Sequence, residues 1–144
     1  MTIRRIDHVG IVVDDLAAAT QFFVALGMVL EDEASVEGRW VDRVVGLDGV
    51  RADLAMLETP DGHARLELSK FHSPSSQGET GLPANTRGIR HVALVVEDID
   101  AVIARLQAHG AELVGELERY EDTYRLCYVR GPEGILIELA EEIG

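Results

Sequence analysis

Two short runs dense in Val and Ile, residues 6–13 and 89–96, are each followed by a stretch whose apolar positions return every three or four residues. The runs are too short for ordinary helices and rich in β-branched side chains, so they predict strands. The stretches that follow, 16–26 (Leu16, Ala19, Phe22, Phe23, Leu26) and 99–109 (Ile99, Val102, Ile103, Leu106), have the spacing of amphipathic helices. Asp15 and Asp98 stand where N-caps belong, and Gly27 and Gly110 where helices end. Extended pattern then resumes at 29–36, 50–57 and 64–71, and again at 113–118, 124–130 and 135–140. Pro60-Asp61-Gly62 and Pro132-Glu133-Gly134 mark the turns before the last strands. The insertion at 39–49 predicts one short helical turn over 41–45, ending at Gly46.

The chain therefore reads as strand, helix and three strands, twice over. A shift of 83 residues superposes the two openings without a gap: His8 meets His91, Val9 meets Val92, Val12 and Val13 meet Val95 and Val96, Asp15 meets Asp98, and Gly27 meets Gly110. The predicted organisation is one α+β domain built from a first βαβββ module at 1–71, a Ser/Pro/Gly-rich linker at 72–88, and a second module at 89–144.

Length and charge narrow the function classes. With 144 residues, a chain of this size can bury about two thirds of its unfolded surface and hold a core. Twenty-six acidic residues against 13 basic ones give a net charge of −13, which disfavours a phosphate-backbone partner, so nucleic acid is not expected. No apolar run approaches the ~18 residues of a membrane span, and the opening Met-Thr-Ile-Arg-Arg-Ile-Asp lacks an apolar leader core, so no membrane association and a cytoplasmic location are expected. Cys127 has no internal partner for a disulfide and reads as a small core residue on a strand.

Candidate chemistry comes from what recurs. The first strands carry His8 and His91, and the last carry Glu67 (Arg65-Leu-Glu-Leu) and Glu138 (Leu136-Ile-Glu-Leu). A solvent-facing side of a strand has no reason to choose the same pair twice. Two imidazoles and two carboxylates suit one divalent ion, with Zn²⁺, Ni²⁺, Co²⁺, Mn²⁺ and Fe²⁺ all compatible. Strand parity puts Gly10, Ser69, Ala93 and Ala140 two residues on from each, on the same face, and all four are small enough to leave room for a substrate. Phe71 joins them as a candidate pocket wall. His63 and His109 read as surface residues, while Lys70 and His72 adjoin the linker. Trp40, Tyr120, Tyr124 and Tyr128 could likewise wall a pocket for an aromatic or planar ligand, with core or edge packing the commoner role for such residues.

The paired modules, the openings Asp7-His-Val-Gly-Ile-Val-Val-Asp-Asp-Leu and Arg90-His-Val-Ala-Leu-Val-Val-Glu-Asp-Ile, and the ending Gly131-Pro-Glu-Gly-Ile-Leu-Ile-Glu-Leu resemble the vicinal oxygen chelate (VOC) superfamily. This is the glyoxalase, bleomycin resistance and dioxygenase group. The resemblance implies a cup-shaped, partly open barrel around one divalent metal, and a small-molecule substrate or ligand. It also implies a homodimer, with modules pairing within a chain or between chains. His8, Glu67, His91 and Glu138 match the ligand set of glyoxalase I in type and order. That match implies a metal-dependent lyase or isomerase working through a chelated enediolate, with Glu138 or Glu67 as the base. Counterparts of the residues that grip glutathione are not evident. The alternatives the resemblance leaves are an acyl-CoA epimerase, an extradiol-type dioxygenase, or a protein that sequesters a drug or natural product.

Overall fold

The computed structural model describes residues 2–76 and 78–144. It divides into two compact units at the boundary between residues 77 and 78. That division falls within the Ser- and Pro-rich stretch between the two repeats.

The first unit runs β1 (Val9–Val12), α1 (Leu16–Leu26), β2 (Val29–Glu37), α2 (Arg39–Val45), β3 (Arg51–Glu58) and β4 (Arg65–Ser73). Its sheet has the order β1-β4-β3-β2, with β1 parallel to β4 and the other neighbours antiparallel. The alternation of buried and exposed positions explains the packing. Leu66 and Leu68 of β4 and Ala55 and Leu57 of β3 are buried, as are Ala19, Phe22, Phe23 and Leu26 of α1, which lies against those two strands. Phe22 and Phe23 meet edge to face, with centroids 5.5 Å apart. Fully burying a side chain such as Phe23 or Leu68 contributes about 1.5–3 kcal/mol.

The second unit repeats the plan with β5 (His91–Val95), α3 (Ile99–Ala108), β6 (Glu112–Leu113), β7 (Glu118–Tyr120), β8 (Tyr124–Arg130) and β9 (Leu136–Glu142). Here β5 is parallel to β9, the order is β5-β9-β8-β6, and β7 also pairs with β8. Ile99, Val102, Ile103 and Leu106 of α3 are buried, as are Ile137, Leu139, Cys127 and Val129 of the sheet. The guanidinium of Arg130 donates to the carbonyls of Gly134 (3.0 Å) and Leu82, tying part of the segment that precedes β5 to this unit.

Several elements depart from the sequence pattern. The strand expected at 6–13 is limited to Val9–Val12, the residues paired with Leu66 to Ser69 of β4. His8 thus sits one residue ahead of β1 rather than within it. The strand expected at 113–118 is split into β6 and β7. Leu113 faces Val129 and Glu118 faces Leu126, so two more residues lie on the first side than on β8, and the chain bulges around Gly115 to absorb them. The short turn at 41–45 is a seven-residue helix, and Asp42 closes its exit by accepting from the backbone of Gly49 (3.0 Å) and Val50 (2.7 Å). Its pattern was hard to read because Trp40 and Val44 face solvent while Val41 is buried. Strand β4 runs on to Ser73, into the stretch expected as linker, and Pro132–Gly134 forms a single 3₁₀ turn. Among the described residues no helix is long and apolar enough to cross a membrane.

Candidate functional site

In each unit, one edge of the sheet is the first strand lying parallel to the last, and parallel registry puts matched residues on one face. Gly10 is matched with Glu67, and Val12 with Ser69. Ala93 is matched with Glu138, and Val95 with Ala140. His8 and His91, two residues before Gly10 and Ala93, share that face with the carboxylates.

The imidazole Nε2 of His8 lies 3.8 Å from Glu67 Oε2, and Nε2 of His91 lies 3.3 Å from Glu138 Oε1. The four side chains are between 23% and 36% exposed, so solvent and small solutes reach them. Among the described residues no three His, Cys, Asp or Glu side chains converge as a metal-binding group. The structure thus brings the four candidates together two by two.

A donor pair of one imidazole nitrogen and one carboxylate oxygen is what half of a Zn²⁺-, Ni²⁺- or Co²⁺-type shell requires. Two such atoms about 2.1 Å from a shared ion lie roughly 3.0–3.4 Å apart at tetrahedral or octahedral angles. The pair in the second unit, at 3.3 Å, matches that span, and the pair in the first, at 3.8 Å, is wider. The residues present fit a divalent ion in their chemistry.

The surroundings of the two pairs differ. In the first unit Nδ1 of His8 lies 2.8 Å from Asp7 Oδ2. The other oxygen of Asp7 accepts from Arg65 (2.5 Å) and Arg5 (3.0 Å), and Arg65 reaches Glu31 at 3.5 Å. Bonds from His8 and Arg65, together with the charge of Arg65, hold the Asp7 carboxyl down at about 2. In the second unit the tyrosine of β8 opposite Glu138, Tyr128, takes this place. Its hydroxyl is 3.5 Å from His91 Nδ1, and the two rings are 5.0 Å apart. Burial pushes the Tyr128 hydroxyl above its ordinary range, and the neighbouring Glu138 charge adds to this.

The sequence pattern did not single out Asp7 or Arg65, and it named Tyr128 only among several aromatic residues that wall a pocket or pack. The signal for Asp7 was its place beside His8; nothing tied Tyr128 to His91 and Glu138, because its pairing with Glu138 is set by register across a turn. Of the small residues expected to line a pocket, Gly10 and Ala93 are exposed while Ser69 and Ala140 are buried. A Cβ added at Gly10 would meet nothing within 4 Å, so the face beside Glu67 is open there. Phe71 packs with Val36 against Val41, Val50 and Ala52. His72 lies 2.8 Å from Asp53, which also accepts from Ser35 at 2.6 Å. These three line a separate hollow of about 360 Å³ with Val36, Glu37 and Arg51. Lys70 pairs with Asp14, and His109 caps α3.

Two repeated units, each opening on a strand and helix and pairing a histidine from its opening with a glutamate from its last strand, define a tandem-module protein. The sequence profile of the glyoxalase/bleomycin resistance protein/dioxygenase superfamily matches residues 5–139, and the chain belongs to that superfamily. A glyoxalase family protein from Bacillus cereus, known by crystal structure, is 50% identical with a TM-score of 0.97, over 100% of this chain and 97% of that one. The uncharacterised protein YwbC of Bacillus subtilis (strain 168) is 33% identical over 137 residues, which are 94% of this chain and 95% of its own. The trypanothione-dependent glyoxalase I of Leishmania major is 23% identical with a TM-score of 0.67, covering 97% of this chain and 88% of that one, a likeness of fold.

Proposed function

We propose that this protein is a divalent-metal-dependent lyase or isomerase of the glyoxalase I type, with His8, Glu67, His91 and Glu138 as the ligands of one ion. The observation that carries the reading is the recurrence of the same His–Glu pair, Nε2 toward carboxylate, in both units. When bound, the ion would supply Lewis-acid stabilisation to negative charge developing on two adjacent substrate oxygens. The chain's own part is to hold and move protons. One of the two glutamates takes a proton from the carbon beside the carbonyl and returns it to the neighbouring atom. Membership of a homodimer belongs to the same proposal. The open face beside Gly10 and Ala93 supports a small substrate bearing two vicinal oxygens, such as a hemithioacetal.

Metal content of untagged protein, measured by mass spectrometry after loading with Zn²⁺, Ni²⁺ or Co²⁺, tests this directly. About one ion per set of four ligands is expected, with strong loss in both His8→Ala and Glu67→Ala. Retention in Glu67→Ala alone would point instead to a three-ligand dioxygenase-type site. No uptake by the wild-type protein under any loading would sink the enzyme reading and favour a sequestering protein. The base is identified by Glu67→Gln and Glu138→Gln: the variant that keeps its metal but loses about 10²-fold or more in turnover of a hemithioacetal carries the proton.

A further inference from the structure

We propose that Asp7, clamped by Arg65, is a positioning residue that fixes the His8 imidazole as its Nδ1–H tautomer, making the first unit the pre-set half of the ligand set. The inference rests on the reading of His8 and His91 as ligands and adds an asymmetry that the repeat conceals.

A neutral imidazole carries one N–H, and an ionised carboxylate only accepts. At 2.8 Å from Asp7 Oδ2, the Nδ1 of His8 must therefore be the donor, which leaves Nε2 with its lone pair directed toward Glu67 at 3.8 Å. Two acceptors then face each other, an arrangement that a shared cation turns from repulsive to favourable. The carboxylate that sets this tautomer cannot easily swing away. Its second oxygen is bonded by Arg65 at 2.5 Å and by Arg5 at 3.0 Å, and Arg65 is itself held toward Glu31. Such carboxylate–histidine pairs orient a ligand ring and raise its basicity.

The second repeat cannot do the same. Arg90 stands where Asp7 stands, and a guanidinium has no lone pair to accept an Nδ1–H. The group that approaches Nδ1 of His91 is the Tyr128 hydroxyl, at the outer limit of a hydrogen bond, and a hydroxyl both donates and accepts. Glu138 bonds the same hydroxyl and lies 3.3 Å from His91 Nε2, so acceptors stand at both ring nitrogens and neither is singled out as the donor. His8 is thus ready to coordinate before any ion arrives, whereas His91 must settle its proton when one does.

Long-range ¹H–¹⁵N correlation of the metal-free, full-length protein reads the tautomers directly, at a pH where both imidazoles are neutral. Wild-type His8 is expected as Nδ1–H, switching toward Nε2–H in Asp7→Ala and returning in part in Asp7→Asn, whose amide oxygen still accepts. The Co²⁺ dissociation constant, followed by its visible spectrum, should rise about 10- to 100-fold in Asp7→Ala and by less than about threefold in Tyr128→Phe. Arg65→Gln, which keeps Asp7 but loosens it, should move both readouts the same way by less. Circular dichroism establishes that each variant is folded. Wild-type His8 found as Nε2–H, or Asp7→Ala leaving the tautomer unchanged, overturns the proposal. A wild-type protein that takes up no Co²⁺ while showing the Nδ1–H form defeats the ligand reading and leaves the tautomer assignment standing.

Discussion

Cys127 shows how one position can be read almost completely from the chain and still gain meaning from its neighbours. It sits on β8 at 4% exposure, opposite Leu139, and burial followed by the charge of Glu138 pushes its thiol above the ordinary range. Both effects disfavour the thiolate, the reactive form. An aromatic disulfide reagent should leave the native protein unmodified over minutes and titrate one thiol per chain once the protein is unfolded in guanidinium; rapid reaction of the native protein would contradict the assignment. The same strand places Tyr128 on the opposite face, against His91 and Glu138. Two consecutive residues therefore serve core and site, and the sequence pattern distinguished only the first. The histidines and glutamates were legible because they recur. Asp7 and Tyr128 were not, because the two repeats solve the support of their histidines differently, one by a residue next in the chain and one by a residue across a sheet.

At the level of elements the helices were the best marked. The α1 segment matches its sequence pattern at both ends: Asp15 accepts from the backbone of Ala18 at 3.0 Å, and the chain leaves through Gly27 at φ 122°, a conformation that side-chain-bearing residues rarely adopt. Asp15→Ala should cost about 1 kcal/mol in urea unfolding, whereas a loss under a few tenths would mean that packing alone holds the first turn. The α3 entry is built differently. Asp98 caps it from a left-handed conformation, Glu141 of β9 accepts from the backbone of Ile99 at 3.0 Å, and Asp100 is gripped by Arg125 of β8 at 2.8 and 3.2 Å. The Arg125 bonds hold Asp100 below the usual carboxylate range. A carboxyl whose folded value is lowered contributes stability that is present above its unfolded value and lost as pH falls through the folded one. Acid titration of stability should therefore be shallower below the normal carboxylate range in Asp100→Asn than in the wild type; identical acid limbs would show the pair to be fully screened. The short strands β6 and β7 were misread as one because alternation continues through Gly115, and only pairing with β8 reveals the two extra residues.

For the molecule as a whole, the charge imbalance is the dominant long-range term. A net −13 over 144 residues leaves the carboxylates in excess of the cations that could pair with them, and exposed pairs such as Arg119–Asp122 offset little of their mutual repulsion. Raising salt from about 10 mM to about 200 mM shortens the screening length from roughly 30 Å to below 10 Å, so the melting temperature should climb by a few degrees; a fall would mean that attractive pairs such as Asp7–Arg65 outweigh the repulsion. The larger consequence lies in the parallel pairing of the first and last strands of each unit. The pairings of β1 with β4 and of β5 with β9 join the first strand of each unit to its last, so these are the strand pairings of highest sequence separation and the costliest loops to close. His8 meets Glu67, and His91 meets Glu138, only across those pairings. During synthesis each histidine emerges long before its glutamate, and a chain interrupted before β4 or β9 carries half of a His–Glu pair with nothing to complete it. On the proposed reading, the capacity to hold an ion is deferred until each unit has closed, and metal capture would certify a finished fold.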